Sequence, residues 1–349
     1  MNKKTVAILF GGCSPEYGVS LESACGVIRH LDRKQFTPVL VGIGPTGDWY
    51  HFTGEVEKIE DDTWRNGDDC VPASLSLGRN DHALVIYRKQ GVETLPIDVV
   101  FPVLHGSNGE DGTVQGLCEL AGVPLVGCGT LASALCMDKD RAHKLAFLAG
   151  VKIPRSLVFE RSDDKEAASQ WVEEIGLPVF VKPVKAGSSY GITKVREESG
   201  LPGAMEEAFY FDDQVIVEES IDGFEVGCAV MGNSALTTGE LDEIELADGF
   251  FDFREKYNLI TSQIHVPARI PAEKADQIKR TAQTIYRALG CRGFARVDLF
   301  LTPSGEIVFN EVNTIPGFTP HSRFPTMMQA VGMSFEQVIT YAITLAVDQ

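Results

Sequence analysis

The sequence predicts a mixed chain, α/β at its N-terminal end and α+β beyond it. Three observations carry that prediction. Strand-like apolar runs alternate with helix-like periods as far as about residue 130, the pattern of a doubly wound parallel sheet. Two early runs end in glycine-rich loops, Gly11-Gly-Cys-Ser-Pro-Glu-Tyr-Gly18 and His105-Gly-Ser-Asn-Gly-Glu-Asp-Gly112, and open α/β sheets bind ligands at the carboxyl ends of their strands. Near the C-terminus, Ala295-Arg-Val-Asp-Leu-Phe and Glu306-Ile-Val-Phe-Asn-Glu-Val-Asn313 flank a turn containing Pro and Gly, which reads as a hairpin.

The chain has 349 residues, 44% hydrophobic and 23% charged, enough for roughly two or three domains with real cores. A net charge of −18 argues against nucleic acid or a membrane surface as partner, while leaving room for a local basic pocket. Eight cysteines with no C-x-x-C pair, mostly in apolar runs, read as reduced, buried thiols of a cytosolic protein. Lys3-Lys4, the apolar Thr5–Phe10 and Gly11-Gly-Cys13 imitate a lipoprotein signal, but the apolar stretch is too short for one. No run approaches the ~20 apolar residues of a bilayer span, so a cytoplasmic location is expected.

In chain order, residues 5–10 read as a buried strand. A helix is expected from about Ser20, with Ser20 as N-cap and Leu21, Ala24, Ile28 and Leu31 on one face. Strand, loop and helix make a site for an anion or a polar ligand. Neither G-x-G-x-x-G nor G-x-x-x-x-G-K-[ST] is present, so a nucleotide is not expected at this turn. Val39–Ile43 and Val99–Val103 read as further parallel strands, with 50–95 irregular and polar. His105 reads as a donor facing a ligand rather than a brace for its loop. A helix around Ala132–Leu148 carries Lys139. The strand Val179–Lys182 runs into Pro183-Val-Lys-Ala-Gly-Ser-Ser-Tyr-Gly191, whose amides and hydroxyls suit phosphates, with Lys182 as a point charge. Taken alone, that loop reads equally well as a surface hairpin with two solvated lysines.

Gln214–Glu219 and Glu225–Met231 read as strands. Residues 247–265 fit neither period, and such a loop in a compact domain is usually functional, often a lid. Helical period returns over 273–289, with Ile278, Ala282, Ile285 and Leu289 inward and Gly290 ending it. A Pro- and Gly-punctuated loop, 313–325, and one final helix follow. In the hairpin, Arg296 and Asp298 share a face, as do Glu311 and Asn313. With Thr302–Gly305 as the loop, Arg296 is expected opposite Glu311, with Asp298 on the diagonal. Asp, Glu and Asn are the hard oxygen donors that Mg²⁺ takes. The plain alternative is one cross-strand Arg–Glu pair with solvated neighbours.

Together, Phe10-Gly-Gly, Glu16, Val19-Ser-Leu, Leu104-His-Gly, Gly109-Glu-Asp-Gly, Met137-Asp-Lys, Lys182-Pro, Gly187-Ser-Ser, Glu255-Lys-Tyr, Asn310-Glu-Val-Asn-Thr and Pro316-Gly resemble the D-alanine–D-alanine ligases, an ATP-grasp family. They follow the family's order over nearly the whole chain. The resemblance implies a substrate-binding α/β domain (1–132), a central ATP-grasp subdomain (133–214) and a C-terminal one (215–349) bearing the lid 247–265. It implies that one D-alanine carboxylate is phosphorylated by ATP, and that the amine of a second D-amino acid attacks the acyl phosphate.

Roles follow from the same resemblance. Lys139 and Lys182 would bind ATP phosphates. Glu218 and Glu225 would hold the adenosine, with Glu219, Ser220 and Ile221 along the adenine edge. Asp298, Glu311 and Asn313 would hold Mg²⁺ or Mn²⁺, and Lys256 would reach the transferring phosphoryl group. Arg296 and the Gly317 amide would form the oxyanion site. Glu16, in a set with Ser188 and Tyr257, would bind the first ammonium group beside His105, and Ser322 the second carboxylate. A homodimer through the first domain is what the family suggests.

Arg323 after Ser322, the lid run Gly249-Phe-Phe-Asp-Phe-Arg-Glu-Lys-Tyr, Ser14-Pro-Glu-Tyr and Asp48-Trp-Tyr resemble the D-alanine–D-serine branch of the glycopeptide-resistance (vancomycin-resistance) ligases. Tyr257 stands where D-lactate-using relatives carry His. Phe251 and Arg323 are the candidates for shaping the second subsite. The rivals are a housekeeping D-alanine–D-alanine ligase, an ATP-grasp ligase with another acyl substrate, and a non-catalytic nucleotide-binding protein.

Overall fold

A computed structural model describes residues 3–163, 165–187, 189–246 and 262–348. The strand Lys4–Gly11 is almost wholly buried and pairs in parallel with Phe36–Ile43 on one side and Val99–Pro102 on the other. The predicted parallel core is therefore present in three strands. Beyond it the sheet continues antiparallel through Trp49–Phe52, Cys70–Leu75, Ala83–Arg88 and Gly91–Pro96, seven strands in all. The expectation that 50–95 is irregular was wrong. These strands lie toward an edge, and Gly91–Pro96 is exposed along most of its length, so little alternation marks it.

The first helix, Tyr17–His30, starts three residues before the expected Ser20. Ser20 is no cap: its hydroxyl accepts from Gly11 N–H at 2.8 Å and donates to Val103 C=O, tying two strand ends to the helix. Glu16 occupies the cap position instead. The expected single helix over 132–148 is two, Thr130–Met137 and Lys139–Leu148, broken at Asp138. The Asp138 carboxylate caps the second by accepting from Arg141 N–H at 2.9 Å. Lys139 thus opens a helix rather than riding inside one.

A four-stranded sheet (Ser156–Glu160, Val179–Pro183, Thr193–Val195, Gln214–Glu219) and a five-stranded sheet (Phe224–Met231, Thr237–Leu246, Ser262–His265, Phe294–Leu301, Ile307–Asn313) follow. Ser262–His265, expected inside a lid, pairs with Thr237–Leu246. The remainder of that loop lies outside the described residues. Helix Ala272–Ala288 buries Ile278, Ala282 and Ile285 as predicted. The expected last helix is again two, Arg323–Ala330 and Phe335–Val347. No single described helix is long and apolar enough to cross a membrane.

The hairpin register differs from the expected one. Leu301 pairs with Ile307, so the loop 302–306 is one residue longer than Thr302–Gly305, and a bulge between Asp298 and Leu299 leaves Asn310 unpaired. Together the two shifts place Asp298 opposite Glu311 and Arg296 opposite Asn313.

One hydrophobic cluster joins the first sheet to the C-terminal helices through Phe101, Phe294, Phe318 and Phe324. Phe318 packs edge-on to Phe101 at 5.7 Å and stacks on Phe324 at 5.9 Å. Within the same cluster Gly42 leaves room for Trp64: a Cβ there would lie 2.3 Å from the indole Cζ3 and 2.9 Å from Phe10 Cζ. Trp64 cannot retreat easily, because it is fully buried and its indole N–H donates to Tyr17 Oη at 3.0 Å. Gly42→Ala is expected to cost about 1–3 kcal/mol by overpacking, read as a lower urea midpoint at constant slope; an unchanged midpoint would show slack around Trp64.

Candidate active site

Two neighbouring cavities collect the predicted residues. One, of about 320 Å³, is lined by Glu16, His105, Lys139, Arg296, Glu311, Asn313, Gly317, Ser322 and Arg323, together with Glu110 and His321. The other, of about 670 Å³, is lined by Lys182, Glu218, Glu219, Ser220, Ile221 and Glu225, and again by Glu311. Glu311 borders both. Ser188, Phe251, Lys256 and Tyr257 lie outside the described residues. Gly187, next to Ser188, comes so close to Glu16 that a Cβ would meet its Oε2 at 2.9 Å.

Glu16 is held at its helix start by local bonds. The Ser14 hydroxyl accepts from Glu16 N–H at 3.1 Å and donates to His105 C=O at 2.6 Å. The Gly106 backbone passes Glu16 too closely for a side chain, since a Cβ would lie 2.5 Å from Oε2, and its φ of +71° favours glycine as well. The carboxylate thus stands at a helix N-terminus, beside a buried histidine. His105 is 5% exposed, and burial lowers its pKa against the opposing pull of Glu16. Both ring nitrogens are engaged internally, Nδ1 with Ile315 C=O at 2.9 Å and Nε2 with Ser23 Oγ at 3.1 Å. The expected free donor is instead a brace between two loops that also borders the cavity.

Glu110 had no assigned role. Its carboxylate accepts from Gly106 N–H at 2.9 Å and Ile315 N–H at 3.1 Å, joining the same loops. Burial and then the Glu16 charge push its carboxyl well above the ordinary carboxylate range.

On the nucleotide side, the buried Lys182 and Glu218 form an ion pair. Glu218 Oε2 is buried with no hydrogen-bond partner among the described residues, so it leaves an acceptor for a ligand donor such as an exocyclic amine. Lys139 is 7% exposed and donates to Ala186 C=O at 2.8 Å, reaching the glycine- and serine-rich loop. Glu219 accepts from Arg155 at 2.9 Å. These groups could hold a nucleotide, with Lys182 in this cavity and Lys139 in the neighbouring one as the cations available to its phosphates.

Arg296 forms a bidentate pair with Asp298, Nε–Oδ1 at 2.8 Å and Nη2–Oδ2 at 2.6 Å, which is not the cross-strand Arg–Glu pair of the plain alternative. Asp298 is 1% exposed and also accepts from Asn313 Nδ2 at 2.9 Å. Two carboxylates opposite one another plus an amide suit a divalent cation that keeps waters and phosphate oxygens; of the three, Glu311 borders both cavities and Asn313 one, while Asp298 lies behind them. Bound there, the cation would offset phosphate charge.

Arg323 turns its guanidinium inward. Nε and Nη2 grip Asp242 at 2.6 and 2.9 Å, Nη1 meets Glu225 at 2.9 Å, and Nη2 lies 3.5 Å from Asp298. Asp242 is fully buried and also accepts from Gly227 N–H at 2.8 Å. Sequence reasoning missed it, since it sits in an acid-rich strand that reads as solvated and its partner lies 81 residues away. Ser322 Oγ accepts from Thr319 N–H at 3.1 Å at the cavity wall.

A nucleotide cleft between two α+β sheets, floored by a carboxylate hairpin and facing an α/β domain, defines an ATP-grasp carboxylate–amine ligase. The comparisons narrow this. The family patterns described as "D-ala D-ala ligase N-terminus" and "D-ala D-ala ligase C-terminus" match residues 5–128 and 145–344, and the chain belongs to the D-alanine–D-alanine ligase family, in its vancomycin-resistance branch. It is 45% identical to the Vancomycin C-type resistance protein VanC1 of Enterococcus gallinarum, covering 98% of each chain. Among solved structures it resembles the VanG D-Ala:D-Ser ligase of Enterococcus faecalis, with 54% identity, a TM-score of 0.92, and 99% of this chain and 100% of that one covered. It also resembles the D-alanine–D-alanine ligase of Coxiella burnetii, with 29% identity, a TM-score of 0.88, and 100% and 95% coverage. The enzyme is an ATP-dependent ligase acting on small molecules.

Proposed function

We propose that the chain joins D-alanine to D-serine at the expense of ATP, as a cytoplasmic enzyme of resistance-type peptidoglycan precursor synthesis. The observation that carries the second substrate is Arg323, a buried cation lining the amino-acid cavity beside Ser322, where the family's housekeeping members commonly carry an apolar residue. A serine hydroxyl in a dry subsite needs a fixed polar partner, and a site built around one discriminates strongly against the analogue lacking it. Tyr257 in place of His, and the likeness to VanC1 and to the VanG D-Ala:D-Ser ligase, support the same reading.

In this reading the ammonium group of the first D-alanine pairs with Glu16, and its carboxylate meets ATP between Lys139 and Lys182. Asp298, Glu311 and Asn313 would hold Mg²⁺, which would offset phosphate charge. The second amine, whose carboxylate lies at Ser322, attacks the acyl phosphate and forms the peptide bond as the C–O bond to phosphate breaks and inorganic phosphate leaves. Arg296 and the Gly317 amide stabilise the developing oxyanion. Turnover with D-alanine alone is to be compared with turnover on D-alanine plus D-serine at equal concentrations and neutral pH. Mixed dipeptide is expected to dominate; if it never exceeds D-alanyl-D-alanine, the D-serine assignment is wrong and the housekeeping alternative stands.

A further inference from the structure

We infer that Ser23 is a positioning residue for the ligase reaction, its hydroxyl completing a closed hydrogen-bond ring that holds neutral His105 and the amide following Gly317. The directions of the bonds are forced by chemistry. Ile315 C=O can only accept, so the His105 Nδ1 facing it at 2.9 Å must carry the proton. Burial keeps the ring neutral, which leaves Nε2 as a lone pair. The Ser23 hydroxyl, 3.1 Å away, must therefore donate to Nε2. Its oxygen is then free to accept from Phe318 N–H at 3.3 Å.

The path runs from Phe318 N–H to Ser23, from Ser23 to His105, and from His105 to Ile315 C=O. It leaves the 315–318 loop and returns to it. Ser23 is fully buried, on helix Tyr17–His30 that also presents Glu16 at its start. Phe318 is wedged among Phe101, Phe294 and Phe324, which fixes its ring. Its peptide plane is fixed separately by Ser23, and Glu110 holds Ile315 N–H at 3.1 Å. Gly317 lies between these anchors, so the first domain sets the orientation of a loop supplied by the last. The inference rests on the proposed role of the Gly317 amide, because an oxyanion donor contributes only when aligned before charge develops.

The test has two readouts. In ¹⁵N-histidine-labelled protein, with the His105 signals assigned by their loss in His105→Asn, wild type is expected to show Nδ1 protonated and Nε2 as a hydrogen-bonded acceptor. Ser23→Ala should move the Nε2 resonance to that of an unbonded acceptor and Ser23→Thr should restore it. In dipeptide synthesis, Ser23→Ala is expected to lower kcat about 10- to 100-fold while KM for ATP stays within about twofold. A proton on Nε2 in wild type, or Ser23→Ala with wild-type kcat, overturns the inference. Failure of the functional reading would show separately, as a wild-type protein that makes no dipeptide, and the nitrogen resonances of wild type would still decide whether the ring exists.

Discussion

Glu311→Gln is expected to reduce dipeptide synthesis by about 10²- to 10³-fold, the scale of losing one preorganised electrostatic partner of a transferring charge. Glu311 lies on the strand Ile307–Asn313, opposite Asp298, and borders both cavities. It is half-buried, so the isosteric amide is tolerated sterically and the fold should persist. Glutamine keeps one neutral carbonyl oxygen but loses the charge that a hard divalent cation requires. The loss should therefore appear as a higher Mg²⁺ concentration for half-maximal rate as well as a lower plateau. Circular dichroism and a thermal transition near the wild-type one would confirm that the chain is folded. Dipeptide formed at the wild-type rate would remove Glu311 from the metal site.

Local chemistry explains which parts of this site were legible beforehand. The hairpin could be seen because alternation, a Pro/Gly turn and three oxygen donors coincide within twenty residues. Its register could not, because a bulge at Asn310 and one extra loop residue leave no compositional mark. His105 was visible as a polar residue at a strand end. That both nitrogens are spent on Ser23 and Ile315 depends on a contact 210 residues away in the chain. The strand Gly91–Pro96 escaped for a different reason: at the sheet edge it buries almost nothing, so no pattern is imposed on it. The helix breaks at Asp138 and before Phe335 did carry local marks, the charged run Asp138-Lys-Asp-Arg141 with Asp138 as cap at the first, and Gly332 at φ +89° followed by the cap Ser334 at the second. Sequence periodicity reports burial on a local element. It is silent on ion pairs between distant elements, which is where Asp242 and Arg323 belong.

Replacing Arg323 should have the largest effect on stability. Arg323→Met preserves much of the side-chain volume but leaves the Asp242 carboxylate fully buried with Gly227 N–H as its remaining hydrogen bond. Removing one partner of a buried pair typically costs about 3–5 kcal/mol, because the other charge stays desolvated. Asp242→Asn in the Arg323→Met background removes the stranded charge and should recover part of the loss. Asp242→Asn alone leaves Arg323 with Glu225 and Asp298 and should cost less than Arg323→Met. Urea unfolding of all four proteins closes the cycle. In synthesis, Arg323→Met is expected to lose D-serine preference while retaining D-alanyl-D-alanine formation. A deficit for Arg323→Met no larger than that of Asp242→Asn would mean that no stranded carboxylate destabilises the variant, and the inward clamp would then not be what holds Arg323 in the second subsite.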